Sequence, residues 1–173
     1  MAETLDRIFV DYSSKKLRQS TERIETCLAK LNSGQIWARG SEQENAVGNL
    51  VLHLCGNVRQ WIIAGVGGAP DLRERDSEFA ARNGAPASEL AARLRETILE
   101  AAGVIDRVSA GRLAERIVVQ KYDVSVMEAI YHVVEHFSTH TGQIIFATKM
   151  LTSEDLGFYR HLRAAASHGE KTP

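Results

Sequence analysis

Three histidines at regular spacing are the residues of this chain best suited to chemistry. His132, His136 and His140 recur every four residues. Four residues make slightly more than one turn of an α-helix, so all three side chains project from one face. Neighbouring pairs are separated by roughly 6 Å along the axis and the outer pair by roughly 12 Å. Two of the three, but not all three, can therefore bind the same metal ion.

A catalytic zinc-type site takes three protein ligands and keeps a position open, so this helix needs a ligand from another segment. His53 is the best candidate. It lies in the apolar segment 44–64, where Asn49, His53, Asn57 and Gln60 share one polar stripe. Buried polar groups are costly without partners, so another element is expected to present polar atoms to this stripe. Neutral imidazoles suit zinc, nickel, copper or iron(II), so the residues alone do not select the metal.

Residues that could orient the histidines lie nearby in helical register. Metal-binding histidines usually donate their second ring N–H to an acceptor. The candidate acceptors are Asn49, Asn57, Glu128, Glu135 and Gln143. Ordinary hydrogen bonding between helices is the alternative interpretation for each of them.

Four amphipathic segments are predicted to position these side chains. The spacing of apolar residues predicts helices over about 3–31, 44–64, 89–108 and 126–151, with Ser88 as the N-cap of the third. Ser125 and Glu128 form an S-x-x-E capping box before the fourth. A long loop follows the second helix, and residues 116–123 are predicted as an extended connector. The sequence therefore predicts an all-α fold, a four-helix bundle.

Length and composition favour one soluble domain. The 173 residues are enough for a single core, and residues 1–173 are assigned to one domain with a disordered tail from about 164. The net charge of -1 is spread over interspersed acidic and basic residues, which disfavours nucleic acid as a partner. No apolar run reaches the roughly 20 residues of a membrane span, so a cytoplasmic location is expected. Cys27 and Cys55 are predicted to be buried thiols.

Three segments carry a family resemblance: VLHLCGNVRQWI, RERDSEF and VMEAIYHVVEHFSTHTGQIIFATKML. They resemble the DinB and YfiT-like metalloenzyme superfamily, specifically one of its uncharacterised bacterial subfamilies, over nearly the whole chain. The resemblance implies a divalent metal bound inside a four-helix bundle by a second-helix histidine and a last-helix H-x-x-x-H that precedes a Gly-Gln pair. On this sequence the implied ligands are His53, His136 and His140. His132, like Asn49, Asn57, Glu135 and Gln143, would then orient a ligand or contact substrate.

The resemblance also implies an activity. Characterised members of the superfamily include thiol-dependent S-transferases and a thiol-dependent isomerase, and many are homodimers. A metal-dependent enzyme that transfers a low-molecular-weight thiol to a small electrophile is therefore expected, with zinc or nickel ahead of iron or manganese. Arg59, Arg73 and Arg75 are candidates to bind carboxylates of the thiol, and solvated surface arginine is their alternative interpretation. Two alternative functions are a noncatalytic dimeric helical bundle with a structural or vestigial metal site and, more weakly, a metal-dependent hydrolase.

Overall fold

The computed structural model describes residues 4–160 and residue 162, and this part of the chain is mostly helical. The helices are α1 (Leu5–Leu28), α2 (Ser33–Ile36), α3 (Val47–Val58), α4 (Arg75–Ala80), α5 (Ala87–Asp106), α6 (Ala110–Leu113) and α7 (Val126–Thr152). A π-helical segment, Arg59–Val66, continues α3. None of the described helices is long and apolar enough to cross a membrane. The tail predicted to be disordered lies outside the described residues.

The hydrophobic core lies between the four long helices. Helix α1 packs against α5 and α7, and α3 packs against the same two helices. Large side chains from all four are fully buried there, among them Leu17, Ile24, Leu54, Leu94, Ile130 and Phe137. Each contributes about 1.5–3 kcal/mol through burial. Cys27 and Cys55 are buried free thiols in the same core, as predicted.

Helix α7 begins where its capping box predicts. The Ser125 hydroxyl accepts a hydrogen bond from the Glu128 N–H at 3.2 Å, and the Glu128 carboxylate accepts one from the Ser125 N–H at 2.6 Å. These bonds satisfy two backbone donors that the helix itself leaves unpaired. A fixed start also sets which face of α7 carries the histidines.

Two predicted features of the helical segments are wrong in detail. Helix α5 begins at Ala87 with Pro86 in the N-cap position, and Ser88 lies inside the helix. The Pro86 carbonyl accepts from the N–H groups of Glu89 and Leu90, so the first turn closes without a side-chain cap. The long connection after the second predicted helix contains α4, which a loop assignment misses.

The extended connector before α7 is a β-hairpin. Strands β1 (Arg116–Val119) and β2 (Tyr122–Ser125) pair antiparallel, with Val119 opposite Tyr122. Gln120 and Lys121 form the turn, with φ values of 52° and 71°. Two-residue hairpin turns of this kind require positive φ at both central residues, and the usual sequence signal is Asn-Gly or Asp-Gly. Gln-Lys lacks that signal, which is why no strand partner was predicted.

Candidate metal centre

Three imidazoles meet between α3 and α7. The ring centroid of His53 lies 5.0 Å from that of His136 and 5.1 Å from that of His140, and the last two are 4.5 Å apart. One ring nitrogen from each residue lies within 4.8 Å of the other two. His53 is buried, whereas His136 and His140 are half-buried, so the cluster lies at the edge of the core. These three residues could hold a metal ion.

Glu78 orients the ring of His53. Its Oε2 accepts from His53 Nδ1 at 3.0 Å, while Arg73 donates to both carboxylate oxygens at 2.8 and 2.9 Å. Burial raises the pKa of Glu78, but the hydrogen bonds from Arg73 and His53 outweigh that effect and hold the pKa below its usual value. Glu78 is therefore ionised at neutral pH. Arg73 Nη2 also lies 3.1 Å from His53 Nδ1, but its shorter bond is to Glu78 Oε2. Because a carboxylate only accepts, Glu78 places the His53 proton on Nδ1 and leaves a lone pair on Nε2.

Gln143 orients the ring of His140. Its side-chain oxygen accepts from His140 Nδ1 at 2.6 Å, so Nε2 of His140 also carries a lone pair. His53 and His140 thus each have a partner that fixes the tautomer needed for metal binding through Nε2.

The closest contact in the cluster joins His53 and His136. Their Nε2 atoms are 2.9 Å apart. Because His53 Nε2 carries a lone pair, either a proton on His136 Nε2 or a bound cation can bridge the two nitrogens. Two nitrogens that each lie about 2.1 Å from one zinc-like ion are separated by roughly 3 Å or more. The 2.9 Å contact is slightly shorter than this separation, and three imidazole nitrogens within 4.8 Å of one another form a donor set that fits a divalent ion.

The electrostatic surroundings favour the neutral forms of His136 and His140 by lowering the pKa of each. Burial, followed by the nearby rings of His140 and His53, lowers the pKa of His136 to about 3. Burial also lowers the pKa of His140, although the hydrogen bond to Gln143 opposes the shift. Metal binding requires deprotonated imidazole, so protons compete only weakly with a cation at neutral pH.

Helix α4, which carries Glu78, is fastened to α3 by Asn49. The Asn49 side-chain NH₂ donates to the carbonyl oxygens of Glu78 and Ala81, both at 2.8 Å. Its side-chain oxygen accepts from Arg39 at 2.6 Å. Asn49 is fully buried. It therefore acts on the backbone of α4 and positions Glu78, and makes no hydrogen bond to a ring of the described cluster.

Gly56 allows the close approach between α3 and α4. A Cβ atom built on Gly56 would lie 2.7 Å from Glu78 Cδ and 2.9 Å from Arg73 Nε, and would overlap Glu78 Oε1. Any larger residue would displace the carboxylate. Glycine in a helix interior normally costs about 1 kcal/mol relative to alanine. Gly56, three residues after His53, was thus a signal in the sequence that another segment approaches α3 closely, and the predictions above did not use it.

Residues 4–163 match the protein family described as "Protein of unknown function (DUF1572)". The chain belongs to this family. DUF1572 proteins are grouped within the DinB/YfiT-like fold family. A crystal structure described as the conserved protein of locus from Enterococcus faecalis is similar, with a TM-score of 0.71 and 16% sequence identity. The likeness covers 88% of this chain and 100% of the other, and it shows the shared fold alone.

A search of curated proteins gives no match to this DUF1572 chain. His132 lies outside the cluster of three and packs beside it, with its ring centroid 5.6 Å from that of His136 and 4.3 Å from that of Trp61. Burial lowers the pKa of His132, so this ring is neutral at pH 7.

Asn57 and Glu135 do not orient the histidines of this DUF1572 chain by hydrogen bonds. The Asn57 side-chain oxygen is buried and has no hydrogen-bond partner among the described residues, and the same holds for Trp61 Nε1. Glu135 is exposed and lines a separate cavity beside α1 with Lys16. Its influence on the site is a charge effect that raises the pKa of His132 and only partly offsets burial.

The three candidate arginines have different environments. Arg73 is almost fully buried and binds Glu78 and the Gln60 side chain, so its guanidinium holds the site together. Arg59 is exposed and pairs with Glu100 at 3.2 Å. The Arg75 guanidinium lies 4.9 Å from the centroid of the Phe79 ring. Arg73, predicted as a group that contacts substrate carboxylates, is thus engaged within the protein.

Proposed function

We propose that this chain is a divalent-metal protein with the four-helix bundle of the DinB/YfiT-like type, and that it activates a low-molecular-weight thiol for transfer to a small electrophile. The observation that carries the proposal is the convergence of three imidazoles, two of which have hydrogen-bond partners at Nδ1 that leave a lone pair on Nε2. His53, His136 and His140 would hold the ion. Zinc and nickel suit three neutral nitrogen donors, and iron or manganese are further candidates.

The chemistry needs an open position beside the three ligands. A bound divalent ion supplies Lewis acidity, which lowers the pKa of a thiol at the site. Glu78 and Gln143 keep the ring orientations of His53 and His140 fixed, so no reorganisation is needed when substrate arrives. His132 is neutral and half-buried, and can accept a hydrogen bond from a bound reactant. In the transfer the substrate sulfur bonds to the electrophilic carbon, the leaving group departs with its electron pair, and the thiol proton passes to solvent.

Metal analysis with matched histidine variants tests the metal site. We expect purified protein to take up one equivalent of zinc or nickel, and His53→Ala and His136→Ala to lose most of that affinity. His132→Ala is the control, because this histidine lies in the same region of α7 but outside the cluster. Equal uptake by all four proteins would refute the metal centre.

A panel of thiols tests the transfer activity. Metal-loaded protein is combined with a series of low-molecular-weight thiols and a model electrophile, and the conjugate is measured. We expect turnover that His53→Ala and His136→Ala abolish. Release of a hydrolysed product without incorporation of sulfur would instead identify a metal-dependent hydrolase.

A noncatalytic homodimer is the second candidate function, and an exposed apolar surface favours it. Leu5, Ile8, Tyr12 and Tyr131 are exposed on α1 and α7 and line one cavity of about 370 Å³. Large exposed apolar patches commonly mark interfaces. If chelation lowers the melting temperature of a dimer and no thiol conjugation is found, this candidate replaces the transferase.

A further inference from the structure

A second, larger cavity lies one helical turn from the histidines. It has a volume of about 790 Å³ and is bounded by the segment after α2, the start of α3 and the last turns of α7. Its apolar lining includes Val47, Leu50, Phe146, Ala147 and Met150. Pockets for small molecules commonly have volumes of roughly 300–1,000 Å³ with mostly apolar walls. The cavity is therefore of a suitable size and character for a small-molecule ligand.

The cavity adjoins the candidate metal centre at Gln143. Gln143 lines it and also accepts the hydrogen bond from His140 Nδ1. Leu50, in its opposite wall, precedes His53 by three residues on α3 and so lies one turn along the same helix. The two helices that supply the histidines thus also supply two of the walls of the cavity. From Gln143 to Met150 the α7 wall extends about 10 Å.

The two charged side chains that line the cavity have opposite signs, and both make hydrogen bonds within the protein. Arg39 and Glu44 are the charged side chains among the described residues that line it. Arg39 donates to the Asn49 side chain and to the carbonyl oxygens of Phe79 and Ala81, and Glu44 accepts from the Gly40 N–H at 2.7 Å. Phe146 and Met150, in contrast, are 67% and 70% exposed. Burial of these apolar side chains therefore favours an uncharged ligand group.

We propose that this cavity binds the apolar part of a small amphiphilic substrate whose polar end lies at the three histidines. The proposal rests on the metal centre described under the proposed function and assigns its substrate class: an uncharged, elongated apolar group of the length of a medium-chain alkyl. Phe146 and Met150 cover that group when it binds. Gln143 lies at the junction between the polar and apolar ends.

A series of alkyl hydroxamates separates the contribution of metal binding to affinity from that of the apolar tail. The hydroxamate head chelates zinc, and the tail is lengthened from acetohydroxamate to octanohydroxamate. Binding to zinc-loaded full-length protein is measured by titration calorimetry. We expect affinity to increase by about fourfold for each methylene that becomes fully buried. The ratio of octanohydroxamate to acetohydroxamate affinity is therefore expected to exceed about 100.

Two variants fill or charge the cavity. Ala147→Trp fills it, and Met150→Lys places a charge in its lining. Because Met150 is exposed, the lysine variant is expected to fold even where the tryptophan variant does not. Both are expected to reduce the affinity ratio toward one. Ser138→Trp is the matched control on α7, because Ser138 is exposed and lines the separate cavity beside α1. It is expected to keep the wild-type ratio.

The outcomes separate this inference from the proposed function. A ratio near one in the wild type, with zinc-dependent binding of acetohydroxamate intact, overturns the apolar subsite and leaves the metal centre standing. No zinc-dependent binding of any hydroxamate overturns both proposals. A wild-type dimer in sedimentation that Met150→Lys converts to a monomer would show that a second copy of the chain occupies the cavity, which also overturns the subsite.

Discussion

At the scale of single residues, the sequence predicts the histidines of the site but not Glu78, the carboxylate that orients one of them. The four-residue spacing of His136 and His140 and the polar stripe around His53 could be predicted, because helical periodicity alone places them on defined faces. Glu78 could not be chosen as the partner of His53, because its position depends on how α4 folds back onto α3. Burial, hydrogen-bond geometry and the contact with Gly56 become known only when both helices are in place.

Gly56→Ala tests that contact. Alanine normally stabilises a helix interior by up to about 1 kcal/mol relative to glycine, but here the added methyl overlaps the Glu78 carboxylate. We expect the free energy of unfolding to fall by about 1–3 kcal/mol, as overpacking typically costs. Denaturant unfolding measures the change.

Gly142→Ala is the matched control for this substitution. A Cβ on Gly142, within α7, would meet no atom within 4 Å. We expect this variant to be as stable as the wild type or up to about 1 kcal/mol more stable. If Gly56→Ala also stabilises the protein, Glu78 does not pack against α3 as described.

Glu78→Gln tests the orientation of His53. The amide removes the negative charge that Arg73 and the His53 N–H share, so the His53 ring loses its strongest acceptor. Loss of such a partner typically costs 10–100-fold in metal affinity. Competition with a chromophoric chelator measures the affinity, and Glu135→Gln is the control because Glu135 is exposed away from the cluster. Equal affinities for the two variants would contradict the orienting role.

At the scale of the elements, local chemistry decided which predictions are correct. The S-x-x-E box gave the start of α7, because its hydrogen bonds lie within four consecutive residues. The start of α5 and the β-hairpin were not predicted, because neither has a local sequence signal of this kind. Pro86 takes the N-cap position without a capping side chain, and the Gln120–Lys121 turn adopts positive φ without glycine. Packing against the rest of the protein, which local sequence does not encode, favours these conformations.

The capping box makes stability depend on pH. Hydrogen bonds from the Ser125 backbone and hydroxyl lower the pKa of Glu128 below 4.5. A lowered folded-state pKa means that Glu128 stabilises the fold above the unfolded pKa, and that this contribution is lost as pH falls through the folded pKa. We expect Glu128→Gln to be less stable than the wild type at pH 7 and equally stable once the pH is below both pKa values. Urea unfolding at several pH values measures the difference, and a constant difference would contradict the assignment.

At the scale of the whole molecule, the long helices could be predicted and their arrangement only in outline. Amphipathic spacing gave four long segments, and the contacts of α1 and α3 with α5 and α7 follow from burying their apolar faces. The short helix α4 and the second cavity depend on loop conformation, which apolar periodicity does not encode. The parts nearest the histidines were therefore the hardest to predict.

Metal binding is expected to stabilise the whole fold. An ion that binds only the folded state at 100 times its Kd adds about 2.7 kcal/mol. For a chain of this length, that raises the melting temperature by roughly 5–10 °C. Thermal unfolding with zinc and with a chelator measures the shift, and the double variant His53→Ala/His136→Ala is expected to show none. A shift of the same size in the double variant would place the ion elsewhere.

The close contact between Nε2 of His53 and Nε2 of His136 joins residues 83 positions apart in the chain. Contacts of such long range form late, after loop closure has brought distant segments together. During synthesis His53 can meet His136 only after α7 has left the ribosome. The metal site is therefore expected to be among the last parts of the fold to form. We expect added metal to slow unfolding and to leave the refolding rate almost unchanged, as interactions that form after the transition state do.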